Sequence, residues 1–188
     1  MSLFRRKYMH VKQQDSSDCG VACVCTLLSH YGQSINRNNV SRILNTNKFG
    51  TKAINIIHGL NKLDFETKSI KITPTELFFI SNEEIYPCIA SVKNEKMDHY
   101  IVLHGIRGRQ MSVSDPAENT ICYLDISTFI EKLSGILILA KPALYQPKKI
   151  NKHNKKYKYR YARLRKLLLI LMIFLLLLLI LQQKILKS

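Results

Sequence analysis

Between Asp18 and Gly32 the apolar positions Val21, Val24, Cys25, Leu28 and Tyr31 recur at three- and four-residue spacing. That spacing predicts a helix with one buried face. Asp18 is placed to cap its start, and Gly32 to end it in the left-handed conformation that other residues resist. A second helix is predicted over 38–44. A third covers 52–63, with Ile54, Ile57, Leu60 and Leu63 on one side. After Phe65 the pattern changes. TKSIKI, PCIASV, HYIVLHGI, QMSVSD, ICYLDI and GILILAK are short segments rich in β-branched residues, separated by Gly, Asn, Asp and Pro, and they predict a mostly antiparallel sheet. Before the last of them, ISTFIEKLSG predicts a short helix over 126–133, with Ser127 or Asp125 as its cap and Gly135 as its stop. Helices come first and the sheet follows. With no internal repeat before residue 148, residues 1–145 read as one α+β domain.

The C-terminal part obeys neither pattern. Residues 148–166, KKINKHNKKYKYRYARLRK, carry ten Lys/Arg, and LLLILMIFLLLLLIL then runs without a polar residue over 167–181. At the helical rise this run is about 22 Å long, against the ~20 residues a bilayer core usually asks for. Counting Ile185 and Leu186, with Lys184 and Lys187 reaching the far interface, brings it to a length that a thin bilayer accepts. A basic linker over 146–166 and a single transmembrane helix over 167–186 are therefore expected. The first fifteen residues hold no apolar run of the signal-peptide kind. Cations flanking a membrane helix stay in the cytoplasm, which places residues 1–147 on the cytoplasmic side of a cell membrane, in contact with lipid at the tail.

Charge supports this division. The chain has 29 Lys+Arg and 13 Asp+Glu, and twelve of the cations lie in residues 148–188, which hold no acid. The remainder, 17 cations against 13 acids, is nearly balanced. A basic face spread over the fold for nucleic acid is thereby disfavoured, and no nucleic-acid partner is expected. Five cysteines, an odd count in a cytosolic setting, argue for thiols rather than structural disulfides. Cys19, Cys23 and Cys25 have no second Cys/His pair at ligand spacing, so no metal is expected. Cys23, Cys25, Cys88 and Cys122 read as small core hydrophobes.

Cys19 is different because of where it stands. The unsatisfied amides and the positive end of the dipole at a helix start favour a thiolate. A thiolate nucleophile needs an imidazole to carry the proton and a polar group to hold that imidazole. His99 opens the segment HYIVLHGI, and Asp115 ends QMSVSD on the partner strand of a hairpin that turns at 107–109. Both can then lie at one end of the sheet, although pairing register does not follow from sequence alone. His104, on the opposite face of the same strand, is the rival histidine. His10, His30, His58 and His153 read as surface or linker residues.

QQDSSDCGVACVCTLLSHYG at 13–32, with DHYIVLHGI at 98–106 and SDPA at 114–117, resembles the N-terminal cysteine peptidase domain of peptidase-containing ABC transporters, the bacterial exporters that cleave double-glycine leaders from bacteriocins and peptide pheromones. The resemblance covers about residues 8–145. It implies a papain-like fold, with the nucleophile on Cys19, the oxyanion-hole amide on Gln13 rather than Gln14, the histidine on His99 and its orienting acid on Asp115. Asp15 and Asp18 match the motif too and read as turn and cap residues. In one departure, Val24-Cys25-Thr26-Leu27 replaces the Leu and Met common in that helix, a matter of packing.

The resemblance implies a cysteine endopeptidase whose partners are a leader-bearing precursor peptide and the membrane and ATPase parts of a transporter. No phosphate-binding G-x-x-x-x-G-K-[ST] loop is present and only one apolar span is found. No cofactor is expected, and ATP would enter only through a separate or missing transporter part. The alternative is a non-catalytic domain that docks the leader without cutting it; the presence of both Cys19 and His99 speaks against it.

Overall fold

The computed structural model describes residues 8–73, 76, 85–93 and 99–144. Three helices come first, α1 (Cys19–His30), α2 (Arg37–Ile43) and α3 (Ala53–Lys62). The strands are β1 (Phe65–Lys71), β2 (Cys88–Val92), β3 (His99–Arg107), β4 (Gln110–Ser114), β5 (Cys122–Asp125) and β6 (Leu133–Pro142), with helix α4 (Ile126–Lys132) before the last. They form one six-stranded sheet in the order β1-β6-β2-β3-β4-β5, in which every neighbouring pair is antiparallel. The predicted α+β order of helices and then sheet stands. The linker at 146–166 and the apolar run at 167–186 lie outside the described residues. Among the described residues no helix is long and apolar enough to cross a membrane.

The central strands β2 and β3 are buried almost throughout because both faces of the sheet are covered. Their side chains alternate between two cores. Ile89, Tyr100 and Val102 pack with α1, α2 and α3, whereas Cys88, Ala90, Ile101 and Leu103 pack with Phe129 and Ile126 of α4. A two-sided sheet explains why these segments read as apolar runs rather than clean alternation.

α1 departs from its expected single buried face, since every residue from Cys19 to Leu28 is buried. The sheet covers one side and α2 and α3 cover another. Residues before the helix close over a third, where Thr26 Oγ1 accepts from the Val11 amide at 3.1 Å. The helix ends as expected. Gly32 takes φ +77°, its amide donates to Ser29 O at 3.1 Å, and the Gln33 amide donates to Leu28 O at 2.8 Å, the Schellman pattern that satisfies the last carbonyls. The expected start is corrected in one respect. Asp18 occupies the cap position, but its carboxylate makes no capping bond, because it is engaged by Arg37 and by the Gln14 amide.

α4 is capped by Asp125, which accepts from the Ser127 amide at 3.0 Å. Gly135 is not its stop. The helix gives way directly to β6 at Leu133, and Gly135 lies inside that strand. The β3–β4 hairpin turns at 108–109, with Arg107 paired to Gln110. Register shifts between Leu103 and Gly105, so His104 stands on a β-bulge.

Candidate active site

The start of α1 and one end of the β3–β4 hairpin meet at the site. Cys19 opens the helix with 5% of its surface exposed. His99 is the first residue of β3, and Asp115 follows the last residue of β4. The pairing of Val102 with Ser114 brings Asp115 level with the first turn of β3, within reach of His99 as a same-face diagonal neighbour. Their contact is direct: His99 Nε2 lies 2.7 Å from Asp115 Oδ1. Cys19 is the other side chain that acts on the His99 ring. With Nε2 taken by Asp115, the nitrogen left for the thiol is Nδ1.

Burial works to lower the His99 pKa, but hydrogen bonds to Asp115 and Cys19, and the negative charge of both, override it and raise the value to about 9. Burial raises the Asp115 carboxyl, and the His99 hydrogen bond together with the Ala117 amide, at 2.9 Å, more than reverses that and holds it below its ordinary value. At neutral pH the pair is imidazolium and carboxylate. A protonated imidazole against Sγ is the partner that a thiolate nucleophile requires.

The other thiols lack this environment. Burial pushes Cys23, Cys25 and Cys88 up, so they remain protonated and pack as hydrophobes. Cys122 is only half buried, its Sγ 3.6 Å from Thr120 O, a correction to its reading as a core residue.

Gln13 lies at the same corner. Its amide donates to Pro116 O at 2.9 Å, which ties it to the segment that carries Asp115. The side chain is half buried, and its Oε1 is buried without a hydrogen-bond partner among the described residues. Gln14 is exposed and its amide donates to Asp18 Oδ2 at 3.0 Å. Asp15 forms a local turn, accepting from the Ser17 amide at 2.8 Å, as expected of a turn residue.

His104 stands apart from this group. It is buried, stacked on Tyr8 with ring centroids 4.8 Å apart, and near His30 at the far end of α1. Burial, then the charge of His30, takes its pKa down to about 4. Five strand residues, roughly 16 Å, separate it from His99. His30 and His58 are exposed. His10 is not the surface residue expected: it is half buried, with Nδ1 2.6 Å from Ser114 Oγ and Nε2 3.1 Å from Glu118 O.

A cleft of about 820 Å³ opens onto Cys19 between the start of α1, the 45–53 connection and Tyr100. Its floor is tight. A Cβ on Gly20 would stand 2.9 Å from Thr51 Cβ, so only glycine allows α1 to approach that connection so closely. Sequence reading singled out neither Thr51 nor Arg37 nor His10. Arg37 and His10 act through partners 19 and 104 residues away, and no local pattern signals such contacts.

Comparison with known proteins identifies the family and the fold. Residues 7–144 match the Peptidase C39 family. The mesentericin-Y105 transport/processing ATP-binding protein of Leuconostoc mesenteroides is 32% identical over 157 residues, which is 81% of this chain and 21% of that protein. The lactococcin-G-processing and transport ATP-binding protein of Lactococcus lactis is 33% identical over 139 residues, 73% of this chain and 19% of that one. The chain thus spans about a fifth of the length of these curated relatives. The crystal structure of the peptidase domain of Streptococcus ComA, a bi-functional ABC transporter involved in quorum sensing, superposes with a TM-score of 0.68 at 33% identity. The match covers 72% of this chain and 99% of that domain.

Proposed function

The chain belongs to the Peptidase C39 family, the cysteine peptidase domain of processing transporters, and from that premise we propose that it hydrolyses the bond after a Gly-Gly pair in the leader of a bacteriocin or pheromone precursor. The observation that carries the reading is the 2.7 Å contact of His99 with Asp115, with Cys19, which lines a cleft, as the other group acting on the same ring. The Cys19 thiolate attacks the carbonyl carbon of the second glycine. The oxyanion that forms takes hydrogen bonds from the Cys19 backbone amide and the Gln13 side-chain amide. His99 gives its Nδ1 proton to the leaving amine, which departs as the mature peptide, and an acyl-enzyme remains. Water then attacks that thioester, His99 accepts the water's proton, and the leader carboxylate is released as thiolate and imidazolium are restored. Asp115 keeps the ring in place and favours its cation.

Glycines before the scissile bond present no side chains to the cleft beside Cys19, so a cleft narrowed there would select for them. The reaction draws on this chain's own residues and water, with no cofactor; ATP belongs to transporter parts that act with it. Residues 1–145 form the peptidase domain in this reading, facing the cytoplasm, and the basic segment 146–166 leads to a membrane helix over 167–186. Two features support the anchor: the uninterrupted apolar run and the cations before it.

Incubating the full chain with a synthetic Gly-Gly leader peptide tests the proposal. Cleavage after the second glycine is expected, and Cys19→Ala should abolish it while near-ultraviolet circular dichroism is preserved. A folded Cys19→Ala variant that cleaves at the parental rate removes Cys19 from the reaction, and binding without any cleavage by the parent chain favours the docking alternative.

A further inference from the structure

Asp18 immediately precedes Cys19 and is buried, with only 8% of its surface exposed. A carboxylate there works against any thiolate close by: burial is what mainly raises the thiols of Cys23 and Cys25, and the charge of Asp18 adds to it. The residue nevertheless stays beside the nucleophile, which raises the question of what balances it. Arg37 reaches across from the first position of α2, where Nη2 pairs with Asp18 Oδ2 and Nη1 donates to Lys12 O at 2.9 Å. Asp18 Oδ2 also accepts from the Gln14 amide at 3.0 Å. One guanidinium therefore holds both ends of the 12–18 segment, with Gln13 between its two grips and Cys19 directly after the second. At Cys25 the charge of Arg37 acts in the opposite sense to that of Asp18.

We infer that Arg37 is a positioning residue for the nucleophile: its guanidinium neutralises Asp18, so that Cys19 can carry a negative charge next to it, and fixes the segment that presents Gln13. Arginine suits this task better than lysine because its planar fork satisfies two acceptors at set angles and stays charged at every working pH. The inference rests on the reading of Cys19 as nucleophile. Other charged and titratable groups face Cys19: His99 from β3, Asp115 beyond β4, Cys23 from α1, and Lys52 and Tyr100 across the cleft. All of them remain when Arg37 or Asp18 is changed, so a difference between variants reports the Arg37–Asp18 pair.

The test needs no substrate. Iodoacetamide reacts with thiolate, so the alkylation rate of Cys19 in the full chain, followed against pH and assigned by peptide mapping, reports the midpoint of thiolate formation. Arg37→Gln leaves Asp18 unbalanced and should move that midpoint up by about one pH unit, the size expected for a unit charge on the adjacent residue between the surface and bulk dielectric limits. Asp18→Asn added to Arg37→Gln should return it, and Asp18→Asn alone should move it down. Arg37→Lys keeps the charge and loses the fork, so its midpoint should stay while cleavage of a Gly-Gly leader peptide falls roughly tenfold in kcat. An unmoved midpoint in Arg37→Gln overturns the inference, even if alkylation slows at every pH, because that pattern means Arg37 only holds the fold. Equal shifts in Arg37→Gln and the double variant overturn it as well. Should Arg37→Gln fail to fold, the isosteric Asp18→Asn decides alone: a lowered midpoint supports the balance of charges and an unchanged one refutes it. If no leader peptide is cleaved by the parent chain, the functional reading fails, and the alkylation result still decides this one.

Discussion

Asp115→Asn is the most informative single change, because it keeps the shape of the side chain and a hydrogen bond to His99 while removing the charge. His99 rises from 6.5 to about 9 in the folded protein. The difference, about 2.5 pH units, corresponds to roughly 3 kcal/mol of preferential interaction with the imidazolium, shared between Asp115 and Cys19. Side-chain exposures of 15% for His99 and 31% for Asp115 call for some discount for solvent screening, so the share of Asp115 is set at ~1.5 kcal/mol. The sign follows from linkage. A histidine whose pKa is raised by folding stabilises the fold fully below 6.5, and loses that contribution as pH rises through about 9. The lowered Asp115 carboxyl contributes above its unfolded value and loses its contribution as pH falls through the folded one. Urea titrations of parent and variant full chain, at about pH 6 and about pH 10, should therefore show the variant less stable by ~1.5 kcal/mol at the lower pH and nearly equal at the higher. In leader-peptide cleavage the alkaline limb of kcat/KM should fall from near pH 9 by about one pH unit. Some activity should survive, since an asparagine in this role serves other papain-like enzymes. An equal stability loss at both pH values, or an alkaline limb that does not move, would refute the assigned charge interaction.

Three further outcomes are expected. His99→Ala should lose far more leader cleavage than His104→Ala, whose ring packs between Tyr8 and His30 away from Cys19; a folded His104→Ala variant as inactive as His99→Ala assigns the wrong histidine. Gln13→Ala should lower kcat by ~100- to 1,000-fold if its amide meets the oxyanion, and steady-state rates at saturating leader peptide measure it; a change confined to KM places Gln13 in binding instead. Carbonate extraction at high pH should leave the full chain in the membrane fraction, and release into the supernatant makes 167–181 a peripheral or partner-binding segment.

The sequence by itself was enough to outline the elements and to nominate Cys19, His99 and Asp115. α1, its Gly32 terminus and the β3–β4 hairpin are written in local patterns: apolar spacing, a residue tolerant of positive φ, and two strands joined by a tight turn. A candidate nucleophile on the first turn of a helix and two polar residues at one end of a hairpin follow from the same local geometry, and the family resemblance supplies their roles. Only tertiary structure decided what each group meets. The covering of α1 on several sides, the diversion of Asp18 from capping to Arg37, the contacts of His104 with Tyr8 and His30, and the tie between His10 and Ser114 all join residues far apart in the chain. Local periodicity reports which face of an element is apolar, but it holds no record of which distant charge or backbone group will lie against it. For that reason Cys19 was legible as a candidate nucleophile from its position on a helix and from the family resemblance, whereas the cation that pairs with the carboxylate beside it is visible only in the packing of α2 against α1.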